Sequence, residues 1–222
     1  MNYLFFSSQI QRHTISKDVR FVVHINCGVN YGYDTLMINN KYPNSIIYGI
    51  ESDITKFYRV EDYCKRTDNI TILHNVLNDT DWKWMKTLDT VIKELNIPEI
   101  DLLYVSYNRK NLDIFKGASE TLKKTKQIIL VEDRDYDMDI VLQTDILKNN
   151  GFHQIERIHN SSENKDVVMF QNEKYKGPEV CPYIMKDDLS NSMKNMNLYD
   201  YIHSKHINDK TTEAIKTFTE YI

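Results

Sequence analysis

The stretch RFVVHINCGVNYG, residues 20–32, decides the fold, because an apolar run leads directly into a turn with two glycines. A second apolar run, SIIYGI at 45–50, ends on Glu51. This order of strand, glycine-bearing turn, helix, strand and acidic residue is typical of the start of a nucleotide-binding α/β sheet. Gly28 and Gly32 have no Cβ and let a ligand approach the backbone. A carboxylate at the position of Glu51 can bind the hydroxyls of a ribose.

The glycine turn also has a plainer interpretation, in which the two glycines serve only the packing of a strand against a helix. The position of Glu51, after a second strand with a buried pattern, favours the nucleoside interpretation over the packing one.

The composition limits the class of protein. The chain has 222 residues and a formal net charge of −4, which suits one domain with an appendage and no large nucleic-acid surface. The opening MNYLFF lacks the length and basic flank of a signal peptide, and no apolar run approaches membrane-spanning length. Cys27, Cys64 and Cys181 form neither a metal-binding spacing nor an even disulfide set. We therefore expect a cytoplasmic protein without metal, nucleic-acid or membrane binding.

Strands and helices alternate along the chain. The predicted strands are 20–25, 45–50, 70–74, 100–105, 127–131, 152–158 and 166–171, and the predicted helices are 33–39, 54–65, 86–95, 111–123 and 140–149. Asp53 is expected as the N-cap of the second helix or as an acid in its first turn, and Gly151 as the C-cap of the fifth. This order predicts a mostly parallel sheet with helices on both faces and a closing antiparallel hairpin.

Six motifs in this order resemble those of the FkbM-type S-adenosylmethionine-dependent methyltransferases. The opening turn of that family, D-x-G-A-N-x-G, is similar to NCGVNYG at 26–32, and its second-strand acid matches Glu51, with Asp53 close behind. The other similarities are HNVLND at 74–79, TLD at 87–89 with IDLL at 100–103, FKGA at 115–118, GF at 151–152 and DVVMF at 166–170.

The resemblance implies a seven-stranded, Rossmann-like class I methyltransferase fold with S-adenosylmethionine as cofactor. It also implies O-methyl transfer to a hydroxyl of a small molecule or carbohydrate acceptor. By position, the implied cofactor contacts are Asn26, Gly28, Asn30, Gly32, Glu51, Asp53, Asn75 and Val76.

Two departures from the family pattern bear on catalysis. Asn26 stands where the family has an aspartate, so a contact with the ammonium group of the cofactor would lose its charge. After the fourth strand, the family pattern K-I-D-V-E-G-A-E is replaced by YVSYNRKN at 104–111, and neither serine nor asparagine is a strong general base. The candidate catalytic residues are Ser106 and Asn108 in this segment and the acids at a later strand end, Glu132 and Asp133.

Four other polar residues near the expected site have two interpretations each. His24 lies within the first strand and is expected to be packed rather than to bind a ligand. His74, at the tip of the third strand, either contacts adenine or faces solvent. Arg109 and Lys110 either hold an anionic or polar substrate or belong to a solvated helix start.

Two other functions remain alternatives. The replacements at Ser106 and Asn108 suggest a catalytically silent methyltransferase fold that serves as a binding or scaffolding module. A nicotinamide-dependent oxidoreductase is the other alternative, although the closing hairpin and the absence of a third turn glycine argue against it.

The domain boundaries follow from composition and from the extent of the resemblance. We expect a lead-in segment at 1–19, a methyltransferase-like domain at 20–172, and a linker with a C-terminal helical extension at 173–222. The two helices predicted in the extension form either a dimerisation arm, which would make a homodimer, or a lid over the substrate cleft.

Overall fold

The computed structural model describes residues 18–106, 111–133, 137–160 and 165–175, with only the backbone at 133, 137–139 and 160. The predicted lead-in segment up to residue 17, and the linker and helical extension after residue 175, therefore lie outside the described residues. So do Asn108, Arg109 and Lys110.

The described part of the chain forms a seven-stranded sheet and a separate pair of very short strands. Its order is β3-β2-β1-β6-β7-β9-β8, and the sheet is parallel except for β9, which runs antiparallel to both neighbours. This confirms the predicted mostly parallel sheet and its closing hairpin. The strands are β1 (Phe21–Ile25), β2 (Ile46–Glu51), β3 (Ile70–His74), β4 (Val76–Leu77), β5 (Met85–Lys86), β6 (Ile100–Val105), β7 (Thr125–Asp133), β8 (Phe152–Asn160) and β9 (Lys165–Asn172).

Helices cover both faces of the sheet, because side chains alternate between its two sides. Val23 and Leu103 pack with residues of α3 to α6, whereas Val22 and Leu102 pack with residues of α1. No helix in the described ranges is long and apolar enough to cross a membrane. The helices are α1 (Tyr33–Lys41), α2 (Ile54–Cys64), α3 (Leu88–Glu94), α4 (Asn111–Lys116), α5 (Ser119–Lys123) and α6 (Asp137–Asn149).

The prediction of one helix over 111–123 is wrong, because the helix is interrupted at Gly117 and the segment forms two short helices, α4 and α5. A Cβ at Gly117 would lie 2.4 Å from the backbone oxygen of Asn78, so this joint packs tightly against the segment after β4. The carboxylate of Asp89 accepts hydrogen bonds from the first backbone amides of α5, at 3.0 and 2.6 Å. Asp89 therefore starts a new helix where the sequence pattern indicated a continuous one.

The helix predicted from residue 86 begins instead at Leu88. Thr87 caps it, because its hydroxyl oxygen accepts a hydrogen bond from the backbone amide of Thr90 at 3.1 Å. The preceding residues form β5, which pairs in parallel with β4 just after β3. This pair was not predicted from the sequence, and its residues Val76 and Leu77 form one side of the candidate site.

We predict that Gly117→Ala lowers the free energy of unfolding by about 1–3 kcal/mol, the usual cost of overpacking. The reason is that backbone, rather than a flexible side chain, occupies the space that the new methyl group needs. Urea denaturation measures the effect, with Lys116→Ala at the neighbouring exposed position as a control expected within about 0.5 kcal/mol of wild type. Equal midpoints for the two variants would contradict the prediction.

Candidate functional site

The turn after β1 brings the chain back over the sheet edge in three overlapping tight turns. Their hydrogen bonds run from the amides of Val29, Tyr31 and Tyr33 to the carbonyl oxygens three residues earlier. Gly32 has a φ of 84°, in the left-handed region that favours glycine, and stands directly before α1. Asn26 also has a positive φ, of 58°, which asparagine tolerates better than most residues.

The Glu51 carboxylate joins this turn to the loop after β2. It is 3% exposed, and its Oε2 accepts a hydrogen bond from the backbone amide of Gly28 at 2.8 Å. Its Oε1 accepts one from the backbone amide of Asp53 at 2.9 Å. A Cβ on Gly28 would lie 2.6 Å from Oε2 and 2.7 Å from the Cβ of Lys56, so this contact requires glycine.

Gly32 has a similar packing role. A Cβ there would lie 3.0 Å from a methyl group of Val60 on α2, on a backbone that already disfavours L side chains. Protein atoms therefore fill the space beside both turn glycines, as the packing interpretation of the turn expects.

A cavity of about 270 Å³ opens at the carboxyl ends of β1 and β2, beside β4. In the sheet, β1 lies between β2, which follows it in the chain, and β6, which comes much later. The strand order therefore reverses its direction at β1, and the cavity lies at this topological switch point of the sheet. Ligands of open α/β sheets bind at this point. The volume is just below the range of roughly 300–1,000 Å³ of small-molecule sites. Its lining includes Asn26, Ser52, Asp53, Asn75, Val76 and Trp84.

Half of the eight predicted cofactor residues line this cavity: Asn26, Asp53, Asn75 and Val76. They come from the segments that follow three neighbouring parallel strands, and Val76 is the first residue of β4. The lining does not include Gly28, Asn30, Gly32 or Glu51. Glu51 bonds to the lining through the amide of Asp53, and the side-chain amide of Asn30 donates to the carboxylate of Asp34 at 2.8 Å.

The side chain of Asn26 links β1 to the end of β6. Its Nδ2 donates hydrogen bonds to the carbonyl oxygen of Ser106 at 3.0 Å and to the Oδ1 of Asn111 at 3.3 Å. An aspartate has no hydrogen to donate to these two acceptors. The two neighbouring acceptors therefore favour asparagine over the aspartate of the family pattern at position 26.

Ser106 belongs to a buried polar chain beneath the turn. The Nε2 of His24 lies 2.9 Å from the hydroxyl of Ser106, and the Nδ1 lies 2.8 Å from the hydroxyl of Thr35. His24 is fully buried, as expected for a packed residue, and burial lowers its pKa to about 3. The imidazole is therefore neutral at physiological pH. Its hydrogen bond holds the Ser106 hydroxyl inside the protein, and Ser106 does not line the cavity.

Glu132 belongs to a second polar cluster, at the end of β7. Arg157 bridges it to Asp166, with Nη1 at 2.9 Å from Glu132 and 2.7 Å from Asp166. Burial raises the pKa of Glu132 to about 7, against the opposing effect of Arg157. Within the described residues, the Oε1 of Glu132 accepts no hydrogen bond. Of the four candidate catalytic residues, Ser106 and Glu132 thus belong to two different clusters. Asn108 and the side chain of Asp133 lie outside the described residues.

His74 lies exposed at the tip of β3, where its Nε2 is 3.1 Å from the carbonyl oxygen of Ser52 and its ring packs beside Phe57. Ser52 and Trp84 line the cavity but were not predicted from the sequence. Ser52 could have been found from its position between Glu51 and Asp53. Trp84 gave no such signal, because a turn far along the chain brings it to the cavity.

No family model matches the chain, and no curated protein matches it. Solved structures do. The fibrillarin pre-rRNA processing protein of Methanococcus jannaschii is 14% identical, with 77% of this chain and 74% of that chain covered and a TM-score of 0.58. A precorrin-6y C5,15-methyltransferase of Geobacter metallireducens is 12% identical, with 75% and 86% covered and a TM-score of 0.54. The N-methyltransferase NodS of Bradyrhizobium japonicum is 14% identical, with 78% and 99% covered and a TM-score of 0.51.

These similarities and the strand order establish that the described part of the chain has the Rossmann-like class I methyltransferase fold. At such low identity they establish the fold alone.

Proposed function

We propose that the protein is an S-adenosylmethionine-dependent methyltransferase, of the kind the FkbM resemblance implies, that acts on a hydroxyl of a small molecule or carbohydrate. The observation that supports this most is the convergence of Asn26, Asp53, Asn75 and Val76 on one cavity at the switch point of the sheet. These residues were predicted from separate motifs, and their meeting is what a cofactor site at this edge requires.

The residues of the cavity fit the adenosine part of such a cofactor. The Asp53 carboxylate and the Ser52 hydroxyl provide acceptors for ribose hydroxyls, and the amide of Asn75 can bond the edge of a base. Both Glu51 oxygens already accept a backbone amide, but a carboxylate oxygen can accept a second hydrogen bond. Glu51 therefore keeps capacity for a ribose hydroxyl.

When bound, S-adenosylmethionine supplies a methyl group on a sulfonium, and the protein must orient an acceptor oxygen and remove its proton. Among the described candidates, Glu132 has the pKa that suits a general base, because the most effective bases titrate near the working pH. It lies at the carboxyl end of β7, next to β6 in the sheet. Ser106 has the role of bonding His24 rather than of a base.

The second candidate function is a methyltransferase fold that binds without catalysis. It is favoured by the engagement of Ser106 with His24 and of Glu132 with Arg157, since both side chains have structural partners. Cofactor binding without methyl transfer to sugar or other hydroxyl acceptors would support this function over the first.

Isothermal titration calorimetry with S-adenosylmethionine and with S-adenosylhomocysteine tests the proposed site. We expect both to bind the wild-type protein and NADH to give no heat. Val76→Phe should abolish binding by filling the cavity, whereas Thr71→Phe, on an exposed position of β3, should leave it unchanged. Absence of heat with both ligands, or equal binding by the two variants, would overturn the proposed site.

A further inference from the structure

Trp84 is a large aromatic residue that lines the cavity and is nevertheless 64% exposed. It occupies the turn between Trp82 and Met85, whose backbone groups exchange two hydrogen bonds at 3.0 and 2.9 Å. In the described part of the chain, the indole of Trp84 makes no hydrogen bond and no contact with another ring. The open side of the cavity is therefore lined by an aromatic surface that protein atoms leave mostly uncovered.

Hydrogen bonds anchor the backbone of the turn that places Trp84 beside the cavity. The Asp81 carboxylate accepts hydrogen bonds from the backbone amide of Thr87 at 2.5 Å and from the hydroxyl of Thr90 at 2.6 Å. The backbone amide of Asn78 donates to the carbonyl oxygen of Lys86 at 3.0 Å. Asp81 thus ties the turn to the start of α3, and the β4–β5 pair ties it to Val76 in the cavity wall.

We propose that Trp84 stacks on the adenine base of the bound cofactor and so covers the open side of the cavity. This inference rests on the proposed function. The lining groups beside Trp84 suit a flat heteroaromatic ring, because Val76 and Leu77 are apolar and Asn75 offers an amide for the edge of the base. An exposed indole is the side chain best suited to stack on such a ring.

Trp82 provides a matched control in the same turn. It is 55% exposed, but it does not line the cavity, and the ammonium group of Lys83 lies 4.3 Å from the centre of its ring. The chain has two tryptophans, so each single replacement leaves one fluorescent reporter of known position.

The experiment is a fluorescence titration of Trp82→Phe and Trp84→Phe with S-adenosylhomocysteine, with calorimetry of the wild-type protein in parallel. We expect the ligand to change the emission of Trp82→Phe, whose reporter is Trp84, and to leave that of Trp84→Phe unchanged. Adenosine should reproduce the change, and methionine should not. Calorimetry should show a loss of roughly 5- to 100-fold in affinity for Trp84→Ala, most of it recovered in Trp84→Phe, and no loss for Trp82→Ala.

The outcomes separate this inference from the function on which it rests. If wild-type protein binds the ligand by calorimetry while Trp84 emission and Trp84→Ala affinity stay unchanged, the stacking is refuted and the proposed cofactor site stands. If wild-type protein gives no heat with the ligand, the proposed function fails and the stacking fails with it.

Discussion

Lowering the pH from 6.5 to 4 is expected to remove about 3 kcal/mol of stability through His24 alone. Burial lowers the pKa of this histidine from 6.5 to about 3, so the folded protein keeps it neutral over this range. The unfolded chain binds a proton below pH 6.5, and the folded chain does not. The contribution of neutral His24 to the free energy of unfolding is therefore fully present above pH 6.5. It is lost as the pH decreases towards 3, by about 1.4 kcal/mol per pH unit.

Urea denaturation at intervals between pH 7.5 and 4 measures this effect. The comparison is with His24→Gln, which cannot titrate but can still donate and accept hydrogen bonds between Ser106 and Thr35. We expect this variant to be less stable at neutral pH and to lose much less stability on acidification. His74→Gln, at an exposed position, should follow the wild-type profile. Parallel profiles for His24→Gln and wild type would refute the assignment.

The sheet was predictable because its signals are local. The apolar runs that became β1 and β2 end within a residue of their predicted bounds, and Asp53 caps α2 as expected, accepting hydrogen bonds from the amides of Thr55 and Lys56. The β4–β5 pair was not predictable, since strands of two residues have no alternating pattern. The interruption of the helix at Gly117 was not predictable either. It depends on hydrogen bonds from α5 to Asp89, which lies 31 and 32 residues earlier in the sequence than the two donors, so no local pattern indicates them.

Two of the motifs that carry the family resemblance turn out to contact each other. The backbone amide of Asp89, in the TLD motif, donates to the carbonyl oxygen of Gly117, in the FKGA motif, at 3.1 Å. The Asp89 carboxylate then starts α5, and Gly117 packs on Asn78. These motifs therefore maintain the scaffold beside the cavity, and their presence is evidence for the fold rather than for a particular acceptor.

Which predicted residues would lie near the candidate site was predictable in part, for a topological reason. The ends of parallel strands meet at one edge of the sheet, so residues after β1, β2 and β3 could be grouped before their contacts were known. The contacts themselves were not predictable. Glu51 does face the glycine turn, as its position indicated, but its carboxylate bonds two backbone amides. The turn that carries Trp84 is held beside the cavity by the hydrogen bonds of Asp81 to Thr87 and Thr90 and by the β4–β5 pair.

Glu51→Gln should impair both the fold of the turn and ligand binding. The amides of Gly28 and Asp53 each need an acceptor, and a glutamine side chain has one oxygen for the two of them. One donor is then left facing an NH₂ group in a buried place, at a cost of about 1–3 kcal/mol in the free energy of unfolding. Because the same carboxylate bonds the backbone amide of Asp53 in the cavity wall and keeps capacity for a ribose hydroxyl, we expect the affinity for S-adenosylhomocysteine to fall roughly tenfold or more.

Two measurements on the same variant separate these roles of Glu51. Urea denaturation gives the loss of stability, and calorimetry under conditions where the variant is fully folded gives the loss of affinity. Glu61→Gln, at an exposed position of α2, makes the same chemical change away from the turn and should alter neither quantity. A variant that loses stability but binds the ligand as tightly as wild type would show that Glu51 holds the turn and takes no part in binding. In that case the acceptors for the ribose would be Asp53 and Ser52, which line the cavity.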